Sequence, residues 1–128
     1  MKDYKKYSII TAPPEDIYLA LTTEITARLW TGDEVEINAT EGGEFSFWDG
    51  AIVGKFLELV PSSKIVQQWY FDEDSPASIV TIKLHPHKKG TSIEINQTNI
   101  PEEAYDDLVD GWENIYLASL VDFYEEED

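Results

Sequence analysis

The sequence predicts an α+β domain in which a curved antiparallel sheet of about seven strands wraps a long C-terminal helix, in the order β-α-α-β-β-β-β-β-β-α. Apolar and polar residues alternate with period two through successive segments between Val35 and Asn96, each bounded by turn residues. One strand-like segment and two short segments of helical spacing come before them. After them Leu108, Trp112, Ile115, Tyr116, Leu120 and Phe123 fall on one face of a long helix. Connections this short make the strands antiparallel, and an amphipathic helix that follows such a run buries its stripe on one sheet face.

Tyr4 to Ile10 reads as the first strand, stopped by Pro13-Pro14. Pro14 suits the first turn of a helix, where its missing N–H is not needed, and Glu15 and Asp16 favour the positive end of the helix dipole. Ile17, Tyr18 and Leu21 give that helix its apolar stripe. Thr22 or Thr23 caps a second helix carrying Ile25, Leu29 and Trp30, which Gly32 closes. Val35 and Ile37 then begin the alternation. Gly42-Gly43 turns the chain into Glu44 to Trp48, and Asp49-Gly50 signals a tight hairpin into Ala51 to Val60. Pro61-Ser62-Ser63 turns into Lys64 to Phe71, and a polar loop around Ser75-Pro76 leads to the strand of Val80, Ile82 and Leu84. Lys88-Lys89-Gly90 turns into the strand of Ile93 and Ile95. The final helix starts at Pro101-Glu102-Glu103.

At 128 residues the chain is expected to be one domain, 1–128, with one hydrophobic core. The absence of Cys excludes disulfides, thiolate metal sites and a cysteine nucleophile. The amino terminus lacks the apolar core of a secretory signal, and no apolar run is long enough to span a bilayer. A soluble, cytoplasmic protein, expected to act as a monomer, is the corresponding reading. Lys and Arg number 9 against 26 Asp and Glu, a net charge of −17 that repels phosphate backbones and anionic lipid. Nucleic-acid binding and membrane insertion are therefore disfavoured. From Pro101 onward there are eleven acidic residues and no Lys or Arg, which makes either a solvated helix face with an acidic tail or a handle for a basic partner.

Four stretches carry a resemblance: PPEDIYLALTT at Pro13 to Thr23, GGEFSFWDGAIVG at Gly42 to Gly54, ELVPSSKIVQQW at Glu58 to Trp69, and DGWENIY at Asp110 to Tyr116. Together they resemble the Hsp90-ATPase-activator branch, Aha1 carboxy-terminal-domain-like, of the START / Bet v 1 (SRPBCC) superfamily. The resemblance implies the helix-grip fold across nearly the whole chain. It also implies two functions: a hollow for small hydrophobic molecules, as in the wider superfamily, and modulation of an Hsp90-type chaperone. The family's amino-terminal chaperone-binding domain has no counterpart in these residues. Gly43 and Gly50 are expected to permit turns, Gly54 to mark a bulge, and Gly111 to leave room for the Trp112 ring.

The dense aromatic residues between Phe45 and Phe71 fill a core, line a pocket or meet another protein. Facing the last helix, Phe45, Phe47, Phe56, Trp69, Val80, Ile82 and Ile95 would meet Trp112 and Tyr116, with Gln67 adding an orienting polar group. These ten are the candidate ligand-binding residues. The favoured function is noncatalytic binding of a small hydrophobic or amphipathic ligand between sheet and helix. The alternative is a co-chaperone-like interaction module acting on an Hsp90-type ATPase. His85-Pro86-His87 has the spacing of a metal pair, but Pro86 and the lysines after it indicate a turn, and no cofactor is expected. Asp72-Glu73-Asp74 lacks the later ligands of a calcium loop and reads as a solvated turn. Glu36, Glu58 and Tyr116 are the only acid–base candidates, and no nucleophile elbow or phosphate loop accompanies them.

Overall fold

The computed structural model describes residues 1–71 and 76–125. The turn expected at Asp72-Glu73-Asp74, with Ser75 of the following loop, and the last three residues of the acidic tail lie outside them. Strands β1 (Lys2–Ile10), β2 (Glu36–Ile37), β3 (Glu44–Phe47), β4 (Ile52–Val60), β5 (Lys64–Trp69), β6 (Ser78–His87) and β7 (Gly90–Ile100) form one antiparallel sheet in the order β1-β7-β6-β5-β4-β3-β2. Helices α1 (Pro14–Thr22) and α2 (Glu24–Thr31) carry the chain from one edge of the sheet to the other. The C-terminal helix is α3 (Glu102–Gly111), a π-helical turn (Trp112–Tyr116) and α4 (Leu117–Glu125).

The period-two pattern becomes one buried sheet face. Phe45 and Phe47, Phe56, Ile65, Val80 and Ile82, and Ile93 and Ile95 are all buried, and Trp112, Tyr116, Leu117 and Leu120 descend on them from the helix. Register places Ile82 opposite both Ile65 and Ile95, so the branched side chains stack across three strands. Ile17, Ala20 and Leu21 of α1, with Ala27 and Trp30 of α2, close one end of the core. Trp30 Nε1 donates to the Ala20 carbonyl at 2.8 Å and ties the two helices together.

Several local expectations are corrected. Ile25 and Leu29 stand 76% and 64% exposed, because α2 is short and turns its inner face through Ala27 and Trp30 alone. Thr23 holds the N-cap position of α2, but its hydroxyl donates back to the Leu19 carbonyl of α1. The bulge of β4 falls between Phe56 and Glu58 rather than at Gly54. Gly54 serves close approach instead: a Cβ there would lie 2.0 Å from the Gln68 carbonyl oxygen and 2.9 Å from the Phe45 ring. Gly43 likewise sits against the Asn38 carbonyl, while Gly42 and Gly50 take the left-handed conformations. A Cβ on Gly111 would meet nothing within 4 Å, so crowding by Trp112 does not explain it. Strand β6 runs through Pro86 to His87 and turns only at the lysines; Pro86 lies beyond Lys83, the last residue of β6 paired with β5, where a missing N–H breaks no ladder on that side. Strand β5 ends at Trp69, two residues short of the expected Phe71, and β2 is only two residues long.

The expected single long helix is interrupted. At the π turn the Leu117 N–H reaches the Trp112 carbonyl, five residues back. In a regular helix a series spaced by four drifts about 40° per step. The wider turn offsets that drift, so Trp112, Tyr116 and Leu120 all stay buried while Ile115 is turned out, 48% exposed.

On the opposite sheet face Glu94 is nearly buried. His85 Nε2 donates to its Oε1 at 2.8 Å, Asn96 Nδ2 donates to its Oε2 at 2.7 Å, and Lys5 lies 3.8 Å away. These two hydrogen bonds, first that from His85, hold the Glu94 carboxyl below its ordinary range; burial opposes them and Lys5 and Lys83 add to them. A carboxyl depressed in the folded state stabilises the fold above its unfolded-state value, and that contribution is lost as pH falls through the folded value. Glu94→Gln is therefore expected to cost about 1–2 kcal/mol at neutral pH. Urea denaturation should show the gap from wild type closing below about pH 4; a gap independent of pH would assign the loss to packing.

Candidate functional site

The aromatic residues form a continuous assembly between the sheet and the C-terminal helix. Trp69, the last residue of β5, stacks on Trp112 with centroids 5.0 Å apart and planes 18° from parallel. Trp112 contacts Tyr116 at 4.5 Å, and Tyr116 stacks on Phe47 at 6.2 Å and meets Trp30 at 5.2 Å. Phe45 joins Phe56 at 5.1 Å. The indole N–H groups have buried partners. Trp69 Nε1 donates to Gln67 Oε1 at 2.8 Å, and Trp112 Nε1 donates to Gln97 Oε1 at 2.9 Å. Gln97 Nε2 donates in turn to Ser78 Oγ, whose hydroxyl donates to the Thr98 carbonyl. Every link of this chain is satisfied, as a buried polar network must be.

At one end of the assembly the sheet and helix part to leave an apolar cavity of about 450 Å³, within the range of small-molecule sites. One wall comes from the β3–β4 connection and the start of β4: Trp48, Ala51, Ile52 and Val53. A second comes from the end of β5 and the residues after it, Trp69, Tyr70 and Phe71. The third is the C-terminal helix, with Ala104, Asp107, Leu108, Gly111, Trp112, Ile115 and Tyr116. Trp48 reaches this wall through an unusual backbone. Trp48 and Asp49 have φ of 53° and 54°, which bulky residues avoid, and the Trp48 ring packs at 5.6 Å from Trp30 and 5.7 Å from Tyr116. Full burial raises the Tyr116 phenol above its ordinary pKa, so Tyr116 enters the wall as a neutral ring.

All ten residues singled out from the sequence are buried on the inner face. Only Trp69, Trp112 and Tyr116 line the cavity. Phe45, Phe47, Phe56, Val80, Ile82 and Ile95 pack as solid core, and Gln67 is taken up by Trp69. Trp48, Phe71, Asp107, Gly111 and Ile115 were not anticipated. A tryptophan beside the Asp49-Gly50 turn, out of the in–out alternation, was the available signal for the first of them. Glu36 is exposed, Glu58 pairs with Lys64 at 3.2 Å, and neither reaches the cavity. His85 is engaged by Glu94, and His87 Nδ1 accepts the Lys89 N–H. Among the described residues no three His, Asp or Glu side chains gather as a metal site, and no helix is long and apolar enough to cross a membrane.

A seven-stranded antiparallel sheet curved about a C-terminal helix, with an opening where the two part, defines the helix-grip fold. Residues 11–125 match the family described as activator of Hsp90 ATPase homolog 1-like protein, and the chain belongs to that family. It is 36% identical over 110 residues to an activator of 90 kDa heat shock protein ATPase homolog from Dictyostelium discoideum, a match covering 84% of this chain and 29% of that protein. With the human activator homolog 1 it shares 28% over 117 residues, 90% of this chain and 34% of the relative. The chain thus spans about a third of the length of the curated relatives it matches. Among solved structures, an HSP90 activator from Plasmodium falciparum superposes with a TM-score of 0.80 at 25% identity, covering 91% of each chain. The Aha1 dimer from Colwellia psychrerythraea gives 0.81 at 21% identity over 98% of each chain, a likeness of fold.

Trp112→Phe keeps an aromatic ring against Trp69 but gives up part of the stacked area and leaves Gln97 Oε1 buried without its donor. It is expected to destabilise the chain by about 1–3 kcal/mol, read as a lowered urea midpoint with an unchanged slope.

Proposed function

We propose that this chain is an interaction module that binds an Hsp90-type chaperone and alters the rate of its ATPase. The observation that supports it is the family match over 11–125 together with relatives named as activators of the 90 kDa heat shock protein ATPase. No catalysis is assigned to the chain itself. The acidic face of α3, with Glu102, Glu103, Asp106, Asp107 and Asp110, suits a basic surface on the chaperone and would steer the encounter. Titrating the chain into the Hsp90-type chaperone of its own source is expected to raise ATP turnover, with an effect that weakens as salt is added. Neither binding nor a change in rate, at concentrations well above those of the chaperone, would remove the proposal.

A second function is favoured by the cavity: binding of a small hydrophobic or amphipathic ligand, with Trp69, Trp112 and Tyr116 supplying contact. The residues packed behind them, Phe45, Phe47, Phe56, Val80, Ile82 and Ile95, hold that wall rigid, and Gln67 fixes the Trp69 ring. Native mass spectrometry of protein taken from its source is expected to show an extra mass on the order of a few hundred daltons that is lost on denaturation. A clean apoprotein mass would count against an endogenous ligand.

A further inference from the structure

We infer that the cavity selects amphipathic cations: small molecules with an apolar body and a single positively charged head. The inference rests on the second function above and names its ligand class. The polar groups left free to meet a ligand are few. The Trp69 and Trp112 indoles donate to Gln67 and Gln97, and the Tyr70 hydroxyl donates to Glu44. Among the described residues of the lining the one ionised group is Asp107, exposed at the rim, with no Lys, Arg or His among them. Asp107 forms no ion pair among the described residues.

The surroundings reinforce this choice of sign. Asp107 sits on α3, where Glu103, Asp106 and Asp110 add negative potential, and no basic residue occurs anywhere after Pro101. A carboxylate or sulfate head at the rim would face that field with no cation among the described lining residues; Lys2, over the Tyr105 ring, and the amino terminus, 3.8 Å from Glu102, meet α3 outside the lining. An ammonium head gains from Asp107 and from the rings of Trp48 and Tyr70, the more exposed aromatic residues of the lining, while its chain fills the apolar interior against Trp69, Trp112 and Tyr116. Gly111 belongs to the lining and a Cβ there would meet nothing within 4 Å, so a large side chain at this position is expected to take up room at the helix wall.

Three probes of one chain length test the charge: octyltrimethylammonium, octanol and octanoate, titrated calorimetrically at low salt. The ammonium is expected to bind roughly three- to tenfold more tightly than the alcohol, and the octanoate most weakly. Asp107→Asn should weaken the ammonium severalfold and leave octanol unchanged. Gly111→Leu, at a position of regular helical backbone, should abolish binding of all three while circular dichroism and the urea midpoint report an intact fold. Octanoate binding as tightly as the ammonium, an ammonium indifferent to Asp107→Asn, or ammonium binding that survives Gly111→Leu would each overturn the inference. If octanol binds and Gly111→Leu blocks it, yet the ammonium gains nothing, the charge selection falls and ligand binding stands. If none of the three binds wild type, both fall.

Discussion

The hydrogen bond from Trp112 to Gln97 fixes how the C-terminal helix sits on the sheet. The two residues come from elements that touch only through tertiary packing, and the bond is buried, so no water replaces it when the helix shifts. Apolar contact alone sets no register along a sheet, because one branched side chain packs much like its neighbour. An indole N–H that must find one carbonyl oxygen does set it. With Trp112 in place, Trp69 stacks on its ring and Tyr116 meets it at a tilt, and Phe47 and Trp30 follow from Tyr116. The position of the cavity follows as well, since it opens where this ring assembly ends.

Much of this is legible in the sequence and part is not, for physical reasons. The inner face of β3 to β7 could be read because burial on one face of a strand imposes a period of two, and Phe45 through Ile95 obey it. Trp112 and Tyr116 could be read because they share a helical stripe. The cavity could not. Its walls come from residues 48–53, 69–71 and 104–116, and nothing in any one of these segments states how far it stands from the others. Gly54 shows the same limit: a bulge and a close approach both call for glycine, and only the neighbouring Gln68 carbonyl and Phe45 ring decide between them.

Function divides along a similar line. Family membership follows from residues spread along nearly the whole chain, most of which hold the fold. Exposed and half-exposed residues carry no burial pattern by which a sequence could mark them; Asp107 and Ile115 of the cavity lining are of this kind. The acidic helix face and the apolar opening lie on the same element, α3, so a partner that covered one would stand close to the other.

The π turn also bears on how this chain tolerates changes of length. It holds one residue more than a regular helix needs to travel the same distance, and Glu113, Asn114 and Ile115 within it are exposed, Glu113 accepting the Tyr4 hydroxyl at 2.7 Å and Ile115 bordering the cavity. Removing one of them would restore ordinary helical spacing and shift Trp112 in phase against Tyr116, Leu117 and Leu120, which all follow the deletion and keep their mutual spacing. The contact at stake would be that between Trp112 and Tyr116, the pair that shares the aromatic wall. An insertion that looks like a defect in the helix is thus the element that lets one helix serve two packing registers.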